Sequence, residues 1–156
     1  KWPDLLNEYV STKLSLIGPL QTNKVKIALD LFSSIHTIDR KKIVDKISQY
    51  PEKLKKIEEL FIQVNLANES QKSGISIGEF DTFYANTEGK LKIDGLMCLP
   101  PKEDDASIYF AFLNQMATQK NLQKLSMGMS SDFKDAILFG ATHIRVGEAI
   151  MGNRVG

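Results

Sequence analysis

Cysteine is nearly absent from this chain. Cys98 is the only one in 156 residues, which excludes an internal disulfide and any cysteine-rich metal site, and suits a reducing compartment such as the cytoplasm. Histidine is almost as scarce. His36 and His143 stand far apart in the sequence, and no flanking motif supports them as metal ligands or as part of a Ser-His-Asp triad. No apolar run approaches the roughly 20 residues needed to cross a bilayer, and no signal peptide is visible. Neither sign of charge is in excess. Twenty Lys+Arg against 19 Asp+Glu leave +1, which gives no electrostatic reason to expect nucleic acid or a membrane surface as a partner. The first residue is Lys1, not methionine, so the expected N-terminus is a processed, cleaved or incomplete one.

What is present reads as an ordinary globular domain, with 42% hydrophobic and 25% charged residues. Short β-rich runs recur at residues 14–17, 34–38, 60–66, 91–97, 123–127 and 142–146, each bounded by Gly, Pro, Asn, Asp or Ser. The intervals carry helical spacing at 23–32, 39–50, 76–85, 104–119 and 131–139. Asp39 reads as an acidic cap, Ser76 and Glu79 as a capping box, and Gly140 as a helix stop. Strand and helix alternate six times, which predicts parallel strands joined by right-handed crossovers. A doubly wound open sheet and a β/α barrel both suit that order. No Gly-x-Gly-x-x-Gly follows the first strand, which disfavours a dinucleotide site. A complete eight-unit barrel takes about 250 residues. Six units in one domain, residues 1–156, therefore fit the last three-quarters of a TIM-like barrel.

In a barrel, binding sites lie in the loops after the strands, and phosphate often sits after the last two. Here those segments are residues 126–132 and 146–152, both small, Gly/Ser-bearing and leading into helical patterns. They read either as an anion pocket of backbone N–H groups or as plain tight turns. Arg145 lies between Ile144 and Val146 in a strand pattern. It points into the barrel mouth or forms a structural ion pair, for instance with Asp94. Lys72 either brings an ammonium to the mouth or is a solvated loop residue. Glu58 and Glu59 beside Lys53, Lys55 and Lys56 read as a solvated helix face, and Cys98 as a buried, inert thiol.

These residues also resemble a known family. The run 125–132, followed by 143–152, resembles the end of the pyridoxal phosphate homeostasis proteins. The segments 17–24, 35–39, 63–66 with 72–74, and 95–97 with Pro100 and Pro101 are similar to further motifs of that family in the same order. The similarity covers residues 14–154. It implies the alanine-racemase-like β/α barrel of fold-type III pyridoxal phosphate proteins. It also implies that the Schiff-base lysine lies upstream of Lys1, so no lysine of this chain is nominated and no catalytic residue is assigned. Carried over by position, Ser126 and Met127 resemble phosphate ligands, through the Ser126 hydroxyl and backbone N–H. Gly147 and Glu148 resemble the second half of the phosphate cup. Arg145 resembles the arginine facing the pyridine nitrogen, and Ile17 an apolar wall near the ring. Two positions depart from the pattern. Glu148 stands where a hydroxyl residue is common, so it is expected to contribute its N–H alone. The run 14–16 replaces an aromatic and histidine pattern.

The resemblance implies pyridoxal 5′-phosphate as cofactor and intracellular vitamin B6 homeostasis as the role. An arginine opposite the ring nitrogen stays protonated and has no acceptor to offer, which weakens the ring as an electron sink. Binding and delivery are therefore expected rather than strong catalysis, with a racemase-like enzyme as the alternative. The complete protein is expected to be a monomer with a small-molecule partner, without metal, nucleic acid or membrane.

Overall fold

The structure, a computed structural model, describes residues 12–69 and 71–152. The chain's start at Lys1 lies outside the described residues. The strands are β1 (Ser15–Leu16), β2 (Ser34–Ile38), β3 (Glu59–Asn65), β4 (Ile75–Ser76), β5 (Gly95–Cys98), β6 (Lys124–Met129) and β7 (His143–Arg145). The helices are α1 (Val25–Leu31), α2 (Lys41–Ile47), α3 (Pro51–Leu54), α4 (Ile77–Thr87), α5 (Ala106–Gln119), α6 (Phe133–Leu138) and α7 (Glu148–Met151), with a 3-10 turn at Thr22–Lys24 before α1.

The sheet runs β1-β2-β3-β5-β6-β7, and the two-residue β4 attaches to the end of β3. Every pairing is parallel. A doubly wound sheet reverses its strand order at a switch point. Here the order never reverses, so the sheet is a partial barrel with its helices outside.

The two faces of the sheet differ in chemistry. Ile35, Leu60, Ile62, Val64, Leu96, Leu125 and Met127 point outward and join Val25, Leu29, Ile43, Ile47, Phe110 and Leu113 of the helices in one apolar core. Each such side chain, fully buried, contributes about 1.5–3 kcal/mol of transfer free energy. Strands of a fully buried parallel sheet are usually apolar on both faces. Inward positions here include Ser34, His36, Gln63, Ser126 and Arg145, with Phe61 and Met97 as the apolar members. A polar lumen costs stability unless each group is bonded, and its bonding pattern locates the site.

Local chemistry corrects several expectations. The fifth sequential strand begins at Gly95, not Leu91, because Asp94 closes its entry. Asp94 N–H donates to the Leu60 carbonyl at 2.9 Å, and its Oδ2 accepts from Leu60 N–H at 3.0 Å. Gly95 is required where it stands, since a Cβ there would lie 2.1 Å from the Lys124 carbonyl oxygen. Asp39 caps no helix. Its carboxylate binds the Arg40 guanidinium at 2.6 Å, and α2 starts after Arg40. Pro51 then opens the separate turn α3. Ser76 is the N-cap of α4, but its hydroxyl donates to the Glu79 carboxylate at 2.5 Å instead of closing a capping box. Glu59 belongs to no helix face; it is the first residue of β3.

Candidate functional site in the barrel lumen

Two strands carry an extra residue. Between Ile35 and Ile38, β2 advances three residues while β3 advances two. Between Ser126 and Met129, β6 advances three while β7 advances two. Such irregularities re-aim side chains and gather near functional sites. In β6 the extra residue rests on Gly128, at φ +92°, where an added Cβ would lie 2.6 Å from Ala136 Cβ. Only glycine fits this conformation and this approach.

Ser126, in register with His143, lies within reach of the Arg145 side chain. Arg145 turns inward: Nη1 donates to Ser126 Oγ at 2.8 Å and Nη2 donates to the Cys98 carbonyl at 2.8 Å. Its Nε is buried and has no hydrogen-bond partner among the described residues. The alternative ion pair with Asp94 does not form, because Asp94 is held by Leu60 and lies 3.3 Å from Lys92 Nζ. Burial lowers the Arg145 pKa, yet guanidinium remains protonated under any ordinary condition.

Ser126 is fully buried, and its hydroxyl also bonds His36 Nδ1 at 2.8 Å. His36 Nε2 meets Ser34 Oγ at 3.1 Å, and Ser34 Oγ donates to Ser15 Oγ at 2.7 Å. A chain of five side chains thus crosses the lumen from β7 to β1. The His36 ring stacks against Phe61 at 4.2 Å and meets the edge of His143 at 5.4 Å. Burial, then the nearby His143 and Arg145, push its pKa down from 6.5 to about 4, against the opposing pull of Glu59. His36 is neutral at pH 7.

A second cluster closes the opposite end of the lumen. Glu59 accepts from Lys124 Nζ at 2.8 Å and lies 2.9 Å from His143 Nε2. Burial raises the Glu59 carboxyl, but the Lys124 bond and the neighbouring His143 outweigh it and hold it below the usual range. Sequence reasoning missed both histidines as lumen residues. Their strand positions were legible, but not their meeting across the barrel. Among the described residues no group of three or more His, Cys, Asp or Glu is placed to hold a metal.

The other candidates sit around the mouth. Ser130 Oγ accepts from Ala149 N–H at 3.3 Å, which ties the loop after β6 to α7. Met127 is buried in the outer core, so its backbone is what it offers to a ligand. Gly147 precedes α7, and Glu148 opens it with an exposed side chain. Ile17 follows β1 and is 48% exposed. Lys72 pairs with Glu69 at 2.6 Å and is not simply solvated. Burial pushes the Cys98 thiol up to about 12, which makes it inert.

The comparisons with known proteins bear on this geometry. No family model matches the chain. The pyridoxal phosphate homeostasis protein of Escherichia coli (strain K12) is 37% identical over 149 residues, covering 88% of this chain and 63% of that protein. The protein of the same name from Vibrio cholerae is 39% identical over 149 residues, with the same coverage.

The chain is a homologue of the pyridoxal phosphate homeostasis proteins.

It spans a little under two thirds of the length of these curated relatives. PipY of Synechococcus elongatus has been solved both without PLP and with PLP bound. The PLP-free structure has a TM-score of 0.83 at 28% identity, covering 97% of this chain and 77% of that one. The PLP-bound structure gives 0.80 at 27% identity, covering 96% and 74%. An alanine racemase of Clostridium difficile 630 matches at TM-score 0.70 and 10% identity, covering 99% of this chain and 43% of that one. That likeness shows the fold alone. The homologous partial barrel is of the alanine-racemase type, and no described helix is long and apolar enough to cross a membrane.

Proposed function

We propose that this chain binds pyridoxal 5′-phosphate in the barrel lumen. Its role is vitamin B6 homeostasis in the cytoplasm, with no strong catalysis of its own. The observation that carries the reading is Arg145 Nε, a buried donor without a hydrogen-bond partner among the described residues. Burying an unpaired polar group costs roughly 1–3 kcal/mol. A flat heterocycle with an acceptor nitrogen at that edge would satisfy it. Both Nη groups are already held, so the guanidinium is fixed before any ligand arrives.

The phosphate side of the site is assigned to Ser126 and Met127 within β6 and to Gly147 and Glu148 at the start of α7. The Ser126 hydroxyl, expected to reach the phosphate, is already engaged by Arg145 and His36, so backbone N–H is what Ser126 and Met127 offer. The Glu148 side chain is exposed, so its carboxylate stays hydrated and its backbone N–H is what it offers an anion. Ile17, at the end of β1, supplies apolar surface beside the ring.

When bound, the cofactor supplies an electron sink. Arg145 limits that chemistry. Guanidinium only donates, so it favours an unprotonated ring nitrogen. Turnover would also need a second acid or base, and two nearby groups suit it poorly: Cys98 holds its proton to about pH 12, and His36 stays neutral down to about pH 4. Equilibrium dialysis with pyridoxal 5′-phosphate tests the proposal. The chain should bind it, and Arg145→Leu should weaken binding at least about tenfold, as expected for loss of a charge-assisted bond. Equal binding by the two proteins, or none by the folded chain, would overturn it.

A further inference from the structure

The hydrogen bonds around Ser126 have a direction. Guanidinium has no lone pair to offer, so Ser126 Oγ accepts from Arg145 Nη1. At the other end, the Ser34 and Ser15 hydroxyls share a bond at 2.7 Å in which either oxygen can accept, so Ser34 can present a lone pair to His36 Nε2 at 3.1 Å. The direction is set at Ser126, which is fully buried and has His36 Nδ1 at 2.8 Å as the acceptor for its own proton. Nδ1 is then bare and Nε2 carries the ring proton. This single tautomer of His36 satisfies every member of the relay, and the network assigns it.

We infer that His36 is a positioning residue for the ligand of Arg145: by accepting the Ser126 hydroxyl proton it keeps Ser126 Oγ turned as an acceptor toward the guanidinium, and so aims Arg145 Nε into the lumen. The inference rests on the reading of Arg145 as a ligand-facing group. Its geometric support is independent. His36 lies within the shifted stretch of β2 and Ser126 at the edge of the shifted stretch of β6, and their side chains converge with Arg145. Were Nδ1 protonated, Ser126 would receive two donors and its own hydroxyl would point into buried space without an acceptor. A charged ring would add repulsion beside the guanidinium.

The groups facing His36 agree with a neutral ring. On β3 they are Phe61 and Glu59, on β7 His143 and Arg145, and on β6 Ser126. The carboxylate of Glu59 is the one group that favours charging. It is already held by Lys124 and His143.

The test uses the 156-residue chain with two variants and two ligands. His36→Phe keeps the flat ring against Phe61 but removes the acceptor. His36→Asn places an amide oxygen where Nδ1 stands. Pyridoxal 5′-phosphate is compared with its analogue bearing CH in place of the ring nitrogen. His36→Phe should weaken the natural ligand about tenfold, His36→Asn should recover most of that, and the analogue should be insensitive to both. Equal loss for both ligands, or no loss for either, would overturn the inference.

Nitrogen-15 NMR of the ligand-free wild-type chain provides a readout that needs no variant to fold. His36 should show a protonated Nε2 and a bare Nδ1, unchanged from about pH 8 to about pH 5. A ring protonated at Nδ1, or one that charges near the ordinary 6.5, would overturn the inference. If the wild-type chain binds neither ligand, the function proposed above fails, and the NMR result alone decides the His36 relay.

Discussion

His36 Nδ1 and Ser126 Oγ, 90 residues apart in sequence, meet at 2.8 Å inside the barrel. That bond joins the two strands with shifted register and places a neutral imidazole in line with a fixed guanidinium. The lumen is thus a built polar surface, not leftover space between strands.

Acid should destabilise the fold through His36. Its pKa is about 4 when folded, against 6.5 for the free side chain. Above 6.5 the ring is neutral in both states and contributes no slope. As pH falls from 6.5 toward 4 the unfolded chain takes up a proton that the folded chain refuses. Stability therefore declines across that window, by up to about 3 kcal/mol, and levels off below it. Urea titrations of the wild type and His36→Phe at several pH values should show a steeper slope across this window in the wild type, the carboxylates contributing equally to both. Equal slopes would mean that His36 is not the titrating group.

Gly128→Ala should be costly. The new Cβ would press on Ala136 Cβ at 2.6 Å and on Phe133 Cα at 3.0 Å, at a φ of +92° that side chains rarely adopt. Overpacking and backbone strain together predict a loss of about 2–4 kcal/mol. Gly147→Ala meets no atom within 4 Å and should change stability by under about 0.5 kcal/mol. Thermal melts of the two variants would distinguish a structural glycine from an incidental one.

The sequence was most legible where periodicity and punctuation agree. Each of the six expected strand runs overlaps an observed strand, though the two-residue β4 falls outside those runs and the 39–50 helix divides into α2 and α3, and the Gly140 stop is real, with φ +90°. Less legible were features decided by tertiary contacts. Leu91 and Ile93 look like strand residues and are buried, but Asp94 bonds to Leu60 and delays β5. Glu59 looked like part of a charged helix face because Lys53, Lys55 and Lys56 precede it; its partners are the distant Lys124 and His143. Arg145 inside a strand pattern was a visible anomaly. Its bond to Ser126 depends on which strands are neighbours, and no local run of residues encodes it.

The chain should associate in solution. Among the described residues the sheet ends in two edges, β1 and β7, and open edges invite pairing. Beside β7, Leu138 is 83% and Met151 86% exposed, and Ile150 is also exposed. Sedimentation across a concentration series should show self-association, and Leu138→Lys with Met151→Lys should weaken it. A concentration-independent monomer in the unsubstituted chain would contradict this expectation.

The central claim is that Arg145 Nε reaches the acceptor nitrogen of a pyridine ring. Pyridoxal 5′-phosphate labelled with nitrogen-15 in its ring, bound to this chain, tests it directly. The resonance should be that of an unprotonated, hydrogen-bonded nitrogen, and Arg145→Leu should return it to the unbonded position. A pyridinium resonance, or a shift unaltered by Arg145→Leu, would contradict the account.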